Sequence, residues 1–531
     1  MKVRRYVRFV LLPNSVLALF LLCSAALYAD VRLPEIFASN MVLQQEMPVP
    51  VWGWASAGEQ VTVHFENQYT IDFGNHSAVQ SVRAVAGADG RWFVTLEPLK
   101  ASAKPQTLTV SGKNEIKLDN VLVGEVWLCS GQSNMEWQMR QSAEYQDALK
   151  TCNNPNIRLF HITKTAKGTP QDHLVVTSSW KASSAETIPQ FSAVGYYFGA
   201  KLQKELGVPV GLINSSWGGT RIEPWTPPVG FQSVPALKGV ADEITARNPA
   251  SAAYKQLAAK TKNDYKNWLD TVDRLGENQF VPPPLAFPPQ LIPFDSPGQP
   301  TTLYNAMIHP FVPLSLRGAI WYQGESNLTD GTLYAEKMKA LILGWRSVFN
   351  NPDLGFYYVQ IAPFIYANQS GTKLPELQES QSSVEKMLPK TGQAIINDLV
   401  SNVKDIHPVK KLLVGERLAL LALNRTYGKT KVVCSSPEFD RLETNGGTLT
   451  VHFKNAKFLK TRDGKVPDWF EIAGEDGKYN KADAEINGTV IKLTSSAVAK
   501  PVAVRFAWEQ SAQPNVQNEA DLPLGPFRAK Q

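Results

Sequence analysis

From Gly124 to about Tyr427 short apolar runs alternate with helix-periodic segments, and this alternation constrains the fold more than any other feature. Residues 121–128, 208–213, 317–322, 356–362 and 393–397 read as buried strands. Residues 192–206, 333–349, 375–388 and 408–427 read as helices. In the first of these, Val194, Tyr197, Phe198, Leu202 and Leu206 share one face, and Gly207 suits the left-handed position after the last turn. Pro408 is expected near the first turn of the last helix. Strands alternating with helices imply an α/β domain with a parallel sheet and helices on both faces.

The flanks follow another pattern. Residues 49–54, 61–65, 91–96 and 106–110 are short strand-like runs separated by Gly, Asn and Asp, as in a small β-sandwich. Residues 447–453, 468–472 and 502–506 repeat this near the C-terminus. The expected organisation is a β-sandwich-like domain at 30–119, an α/β domain at 120–430 and a β-rich domain at 431–531, packed on the N-terminal one. A Pro-rich insertion at about 234–300 interrupts the α/β domain, as a packing appendage or a lid.

Residues 1–29 read as a secretory signal peptide. Lys2, Arg4, Arg5 and Arg8 precede an apolar stretch, and Ala29 precedes Asp30 at the expected cleavage point. The mature protein is therefore expected to be periplasmic or secreted, with no later membrane span. A net charge of +6 over 531 residues, without a basic block, gives no reason to expect nucleic acid as a partner. Beyond Cys23 only Cys129, Cys152 and Cys434 remain, so disulfides are not expected to hold the fold. No Cys/His cluster has zinc spacing, and no metal is expected.

In an open parallel sheet, ligands bind at the carboxyl ends of the strands. Four loops leave such ends with polar or glycine-rich residues: Gly131 to Met135, Asn214 to Arg221, Gln323 to Asn327, and Asp398 to Pro408. Together they hold the parts of a serine hydrolase. Ser133 is the candidate nucleophile, though a serine there also suits a helix cap. A serine hydroxyl needs a base to take its proton, and His407 is favoured over His309, which precedes a strand instead of following one. Asp405, with Asp398 as the alternative, would orient the imidazole. Candidate donors for an oxyanion are the Ser133 backbone, Gly218 or Gly219, and Gln323 or Asn327. Trp137, Trp217, Trp225 and Trp321 flank these loops and suit either a core or a sugar-stacking surface. Arg221 suits a substrate carboxylate or a structural ion pair, and Glu325 a supporting hydrogen bond or solvent.

At these blocks the sequence resembles the sialate O-acetylesterase family of SGNH hydrolases. The matching segments are Gly124-Glu125-Val126-Trp127, Gly131-Gln132-Ser133-Asn134-Met135-Glu136, Phe191 to Tyr196, Trp217-Gly218-Gly219-Thr220, Trp321 to Asn327, and Asp405-Ile406-His407-Pro408 ahead of Lys411 and Val414-Gly415. Asn40 to Gln44 and Phe470 to Gly474 extend the match into both flanks. The resemblance implies a flavodoxin-like α/β/α domain and a cofactor-free esterase that removes O-acetyl groups from sugars. It implies Ser133 as nucleophile and His407 as base, with acetylated sialic acid or an acetylated plant polysaccharide as substrate. Trp217, Arg221 and Glu325 are the expected substrate contacts. The wider SGNH pattern has its acid three residues before the His, where this chain has Lys404, so Asp405 takes that role here. Gln323-Gly324 stands where the wider pattern offers Asn.

Overall fold

A computed structural model describes residues 30–67 and 78–531 of the chain. The expected leader, residues 1–29, lies outside the described residues. The fold is mixed α/β around one central sheet. Its parallel strands are β1 (Glu115–Gly131), β2 (Asn154–His161), β3 (Val210–Ser216), β4 (Gly318–Tyr322), β5 (Gly355–Val359) and β6 (Thr391–Ala394). Their spatial order is β6-β5-β4-β1-β3-β2. Lys181–Ser183 pairs antiparallel with β2 and makes the sheet mixed.

β1 reaches well beyond the expected strand. Its first half pairs antiparallel with Ser102–Ser111 in the N-terminal region. Its second half pairs parallel with β3 and β4. Residues 119 and 120 therefore lie inside a strand that both regions share. Every residue from Val121 to Gly131 is buried, as expected of a strand covered on both faces.

The helices that carry and cover the site are α1 (Ser133–Glu136), α2 (Ala193–Leu206), α3 (Leu333–Val348), α4 (Lys373–Met387) and α5 (Lys411–Arg425). The ends of α2 follow the sequence signals. Ser192 Oγ accepts the Gly195 N–H at 3.0 Å, and Gly207 ends the helix with φ 70°. Strand side chains alternate between two cores. Tyr357 and Val359 of β5 join Phe198, Leu202, Val414 and Leu418 of α2 and α5. Phe356 and Tyr358 join Trp345 and Leu377 of α3 and α4 in a core that continues into Val51, Val63 and Leu108 of the N-terminal strands.

Three expectations are corrected. Helix α5 starts at Lys411, so Pro408 lies ahead of it in a turn where the Asp405 carboxylate accepts the His407 N–H. That side-chain bond offers the backbone an alternative to helix. The C-terminal region has its own core around Val451, Ile472 and Phe506 and docks on the α/β region; among the described residues no hydrogen bond joins it to the N-terminal strands. Asn397 Nδ2 donates to Leu524 O at 2.8 Å, and Gln513 Nε2 to Val400 O at 2.7 Å. The last expected strand ends at Ala394, short of Asn397. The insertion forms helices Lys238–Arg247 and Ala252–Val272 and is anchored through Leu237, Ile244 and Phe294 beside Ala340 of α3.

One buried charge joins the regions. Glu125, fully buried on β1, accepts bonds from Arg317 Nε (2.7 Å) and Nη2 (3.1 Å), Gln44 Nε2 (3.0 Å) and Gln45 Nε2 (2.5 Å). Removing one partner of a buried pair typically costs about 3–5 kcal/mol. Arg317→Met should therefore lower the thermal midpoint followed by circular dichroism. An unchanged midpoint would show that the pair contributes nothing to stability.

Candidate active site

The sheet delivers its loops to one end, and two of them meet in a serine–histidine pair. β1 ends at Gly131, whose φ of 141° suits glycine, and a Cβ there would collide with the Tyr322 carbonyl of β4. The chain turns directly into α1, which places Ser133, half-buried, above the strand end. His407 comes from the turn before α5, and its Nε2 lies 2.9 Å from Ser133 Oγ. With the ring proton on Nδ1, the serine hydroxyl donates to Nε2. Trp137 stacks on the imidazole, with ring centroids 5.0 Å apart and planes 23° from parallel.

Asp405 stands beside His407. Its Oδ1 accepts the His407 backbone N–H at 2.9 Å and lies 3.8 Å from the ring Nδ1. The second distance is ion-pair range and too long for a hydrogen bond. The alternative, Asp398, is engaged elsewhere: Arg417 grips both of its oxygens at 2.6 Å. His309 is also removed from the serine, with Nδ1 bonded to Gln171 O at 2.9 Å.

The side chains expected to hold an oxyanion or substrate are mostly used inside the fold. Gln323, fully buried, donates through Nε2 to Asn327 Oδ1 (2.7 Å), Gln132 Oε1 (3.1 Å) and Thr220 O (3.2 Å). Asn327 donates through Nδ2 to Asp330 (2.6 Å) and Glu223 (3.2 Å). Neither amide keeps a donor for a tetrahedral intermediate. Arg221 is the structural ion pair of the two readings, held by Glu223, Asp330 and Ser326 O. Lys337 joins the same acids. Burial opposes ionisation of Glu223, yet Arg221 and Lys337 hold its carboxyl down at about 2. Trp225 and Trp321 are fully buried core residues, so the stacking reading fails for both. Trp217 is half-buried at the end of β3.

The glycine loop after β3 approaches Ser133 closely. A Cβ on Gly218 would sit 3.2 Å from Ser133 Cβ. The Gly218 N–H is already bonded to Glu136 Oε2 at 2.6 Å, and Glu136 Oε1 meets Lys164 at 2.5 Å. Gly219 is exposed with φ 77°, and neither its N–H nor that of Ser133 has an acceptor among the described residues.

Behind the pair lies a buried polar cluster that sequence reasoning did not anticipate. Lys411 Nζ donates to Asn134 Oδ1 at 2.6 Å, and Asn134 Nδ2 donates to Glu325 Oε1 at 2.7 Å and Ile406 O at 3.0 Å. Glu325 is thus a supporting residue and not a substrate contact. Burial raises its carboxyl pKa, partly offset by Asn134 and Lys411. Lys411 was visible only as part of a motif, because its position four residues after His407 does not reveal that it points back towards Asn134. Among the described residues no group of His, Cys, Asp and Glu could hold a metal, and no helix is long and apolar enough to cross a membrane.

Residues 123–269 and 293–420 match the family described as carbohydrate esterase, sialic acid-specific acetylesterase. The chain belongs to this family. It is a carbohydrate O-acetylesterase, an ester hydrolase. The sialate O-acetylesterase of Rattus norvegicus is 29% identical over 94% of both chains, and that of Homo sapiens 27% identical over 98% of this chain and 96% of its own. The crystal structure of a carbohydrate acetylesterase from Xanthomonas citri superposes with a TM-score of 0.76 at 34% identity, covering 94% of this chain and all of that one.

The two aspartates have different surroundings and should respond differently. Asp398→Asn should lower the thermal midpoint, because it leaves the buried Arg417 without its counter-charge. Asp405→Asn should leave the midpoint in place and lower kcat, by roughly tenfold to a hundredfold, less than for a fully buried triad acid. The reverse pattern in melting and steady-state kinetics would transfer the orienting role to Asp398.

Proposed function

We propose that this esterase works by serine acyl transfer on O-acetylated sugars, with acetylated sialic acid as the leading substrate. The observation that carries the reading is the 2.9 Å contact between Ser133 Oγ and His407 Nε2 at the mouth of the sheet. Ser133 attacks the acetyl carbonyl while His407 takes its proton. The oxyanion forms against the N–H groups of Ser133 and Gly219, which have no acceptor among the described residues. His407 then returns the proton to the leaving sugar hydroxyl. A water activated by the same imidazole hydrolyses the acetyl-enzyme. Asp405 orients the ring and offsets the charge that develops on it.

The sugar is inferred from relatives named sialate O-acetylesterases, which align along nearly the whole chain. The finer fold assignment is likewise a proposal. Without β2, the order β3-β1-β4-β5-β6 is second, first, third, fourth, fifth, as in a flavodoxin-like sheet, which supports an SGNH-type domain. Export is proposed from the basic and apolar character of residues 1–29. Sequencing the N-terminus of protein recovered outside the cytoplasm tests it, and an uncleaved Met1 there would overturn the signal-peptide reading.

Ser133→Ala should reduce hydrolysis of p-nitrophenyl acetate by roughly 10⁴-fold or more, the scale for losing a nucleophile. Equal rates would remove Ser133 from the mechanism. Side-by-side rates on acetylated sialic acid and acetylated xylan decide the sugar, and faster release from xylan would overturn the sialate reading.

The pH profile has a defined sign. Burial and then Lys411 lower the His407 pKa below the ordinary 6.5, against the pull of Asp405. The base works as the neutral ring, so kcat/KM should rise with pH and level off, with its acid limb below pH 6.5. A limb centred above that value would contradict the assignment.

A further inference from the structure

We propose that Asn134, clamped between Lys411 and Glu325, is a positioning residue that holds His407 against Ser133. The inference rests on the assignment of those two residues as base and nucleophile. Asn134 follows the nucleophile in sequence, and Ile406 precedes the base. The bond from Asn134 Nδ2 to Ile406 O, at 3.0 Å, therefore ties the two reacting loops together one residue from each reacting side chain. The two bonded residues lie 272 positions apart in the chain.

The charges on either side dictate which way the amide faces. An ammonium only donates and a carboxylate only accepts. Lys411 Nζ at 2.6 Å therefore requires Oδ1, and Glu325 Oε1 at 2.7 Å requires Nδ2. With Oδ1 turned to Lys411, Nδ2 must point towards Glu325 and Ile406. Asn134 and Lys411 are fully buried and Glu325 is 8% exposed. Apolar residues of similar volume would avoid the desolvation cost of burying these charges. The cluster is not tuned for stability alone, since Glu325 Oε2 and Tyr322 OH are buried there with no hydrogen-bond partner among the described residues. The Lys411 ammonium also lies 5.3 Å and 5.6 Å from the ring centroids of Tyr322 and Trp137, and Trp137 is the residue stacked on His407.

Lys411 bears on the base electrostatically as well. His407 faces Asp405 in its own turn, Lys411 on α5 and Ser133 on α1. Lys411 faces Glu325 from the loop after β4, Asp405, and Glu144 from the segment between α1 and β2. Burial lowers the Lys411 pKa to about 7, against these three acids. Over the acid limb of His407, Lys411 is therefore charged and disfavours protonation of the ring. Removing the ammonium lets the ring protonate more readily, and the limb moves to higher pH.

The test compares the full-length enzyme with Lys411→Met and Glu325→Gln by kcat, KM and the pH profile of kcat/KM on p-nitrophenyl acetate. Lys411→Met is expected to lose roughly tenfold to a hundredfold in kcat, the scale for a small misplacement of reacting groups, with KM little changed. Its acid limb should lie at higher pH than in the wild type, a shift that a purely structural role does not produce. Wild-type kcat with an unmoved limb in folded Lys411→Met overturns the proposal. If that variant does not fold, the near-isosteric Glu325→Gln decides: lower kcat at preserved KM supports the clamp, and unchanged kcat overturns it. Ser133→Ala run alongside separates the two levels of inference. Activity in Ser133→Ala overturns the nucleophile, whereas an inactive Ser133→Ala beside a fully active Lys411→Met overturns only the clamp.

Discussion

The structure depends on β1 and on the need to satisfy its backbone along its whole length. Seventeen residues pair first with the N-terminal strands and then with β3 and β4. The buried stretch from Val121 to Gly131 cannot leave its amides unpaired, so the regions on either side are locked in register. Register then fixes where the strand ends, and the end is where Ser133 stands. The buried Glu125, gripped by Arg317 and two N-terminal glutamines, resists slippage of that register because any shift would strand its charge.

The Ser133–His407 pair is assembled by loops that share little sequence proximity. One follows the central strand and the other follows β6 at the sheet edge. Beside them runs a layer of hydrogen bonds within the protein: Gln323 with Asn327, Arg221 with Glu223 and Asp330, and Asn134 with Lys411 and Glu325. Residues that look catalytic by type, such as the Gln, Asn and Arg of these loops, are mostly found in this layer. Outside this layer stand the half-buried Ser133 with His407 against it, and the exposed Gly219.

The elements of the α/β region were legible because their periodicities differ. Alternating cores on β5 and the one-sided face of α2 follow from periods of two and 3.6 residues, and these are local properties. Helix α5 starts later than its hydrophobic period suggests because an Asp405 side-chain bond competes with helix, and the neighbour of the C-terminal region is not legible because patterning does not say which surface an apolar face meets. Among site residues, Ser133 and His407 lie together in the structure. Asp398, Gln323, Asn327 and Arg221 were plausible by residue type, but each found a closer partner inside the protein.

By itself the sequence determined the strand–helix alternation, the serine turn and the histidine turn, because turn chemistry and hydrophobic period are written in neighbouring residues. Tertiary structure decided which polar groups would remain free. A Gln donor or an Arg fork is available to substrate only if no nearer acceptor takes it, and distance between remote segments is not a local property. The same reason hid the pairing of Asn134 with Ile406 and Lys411, which becomes visible only when the end of β1 and the start of α5 are brought together over the sheet.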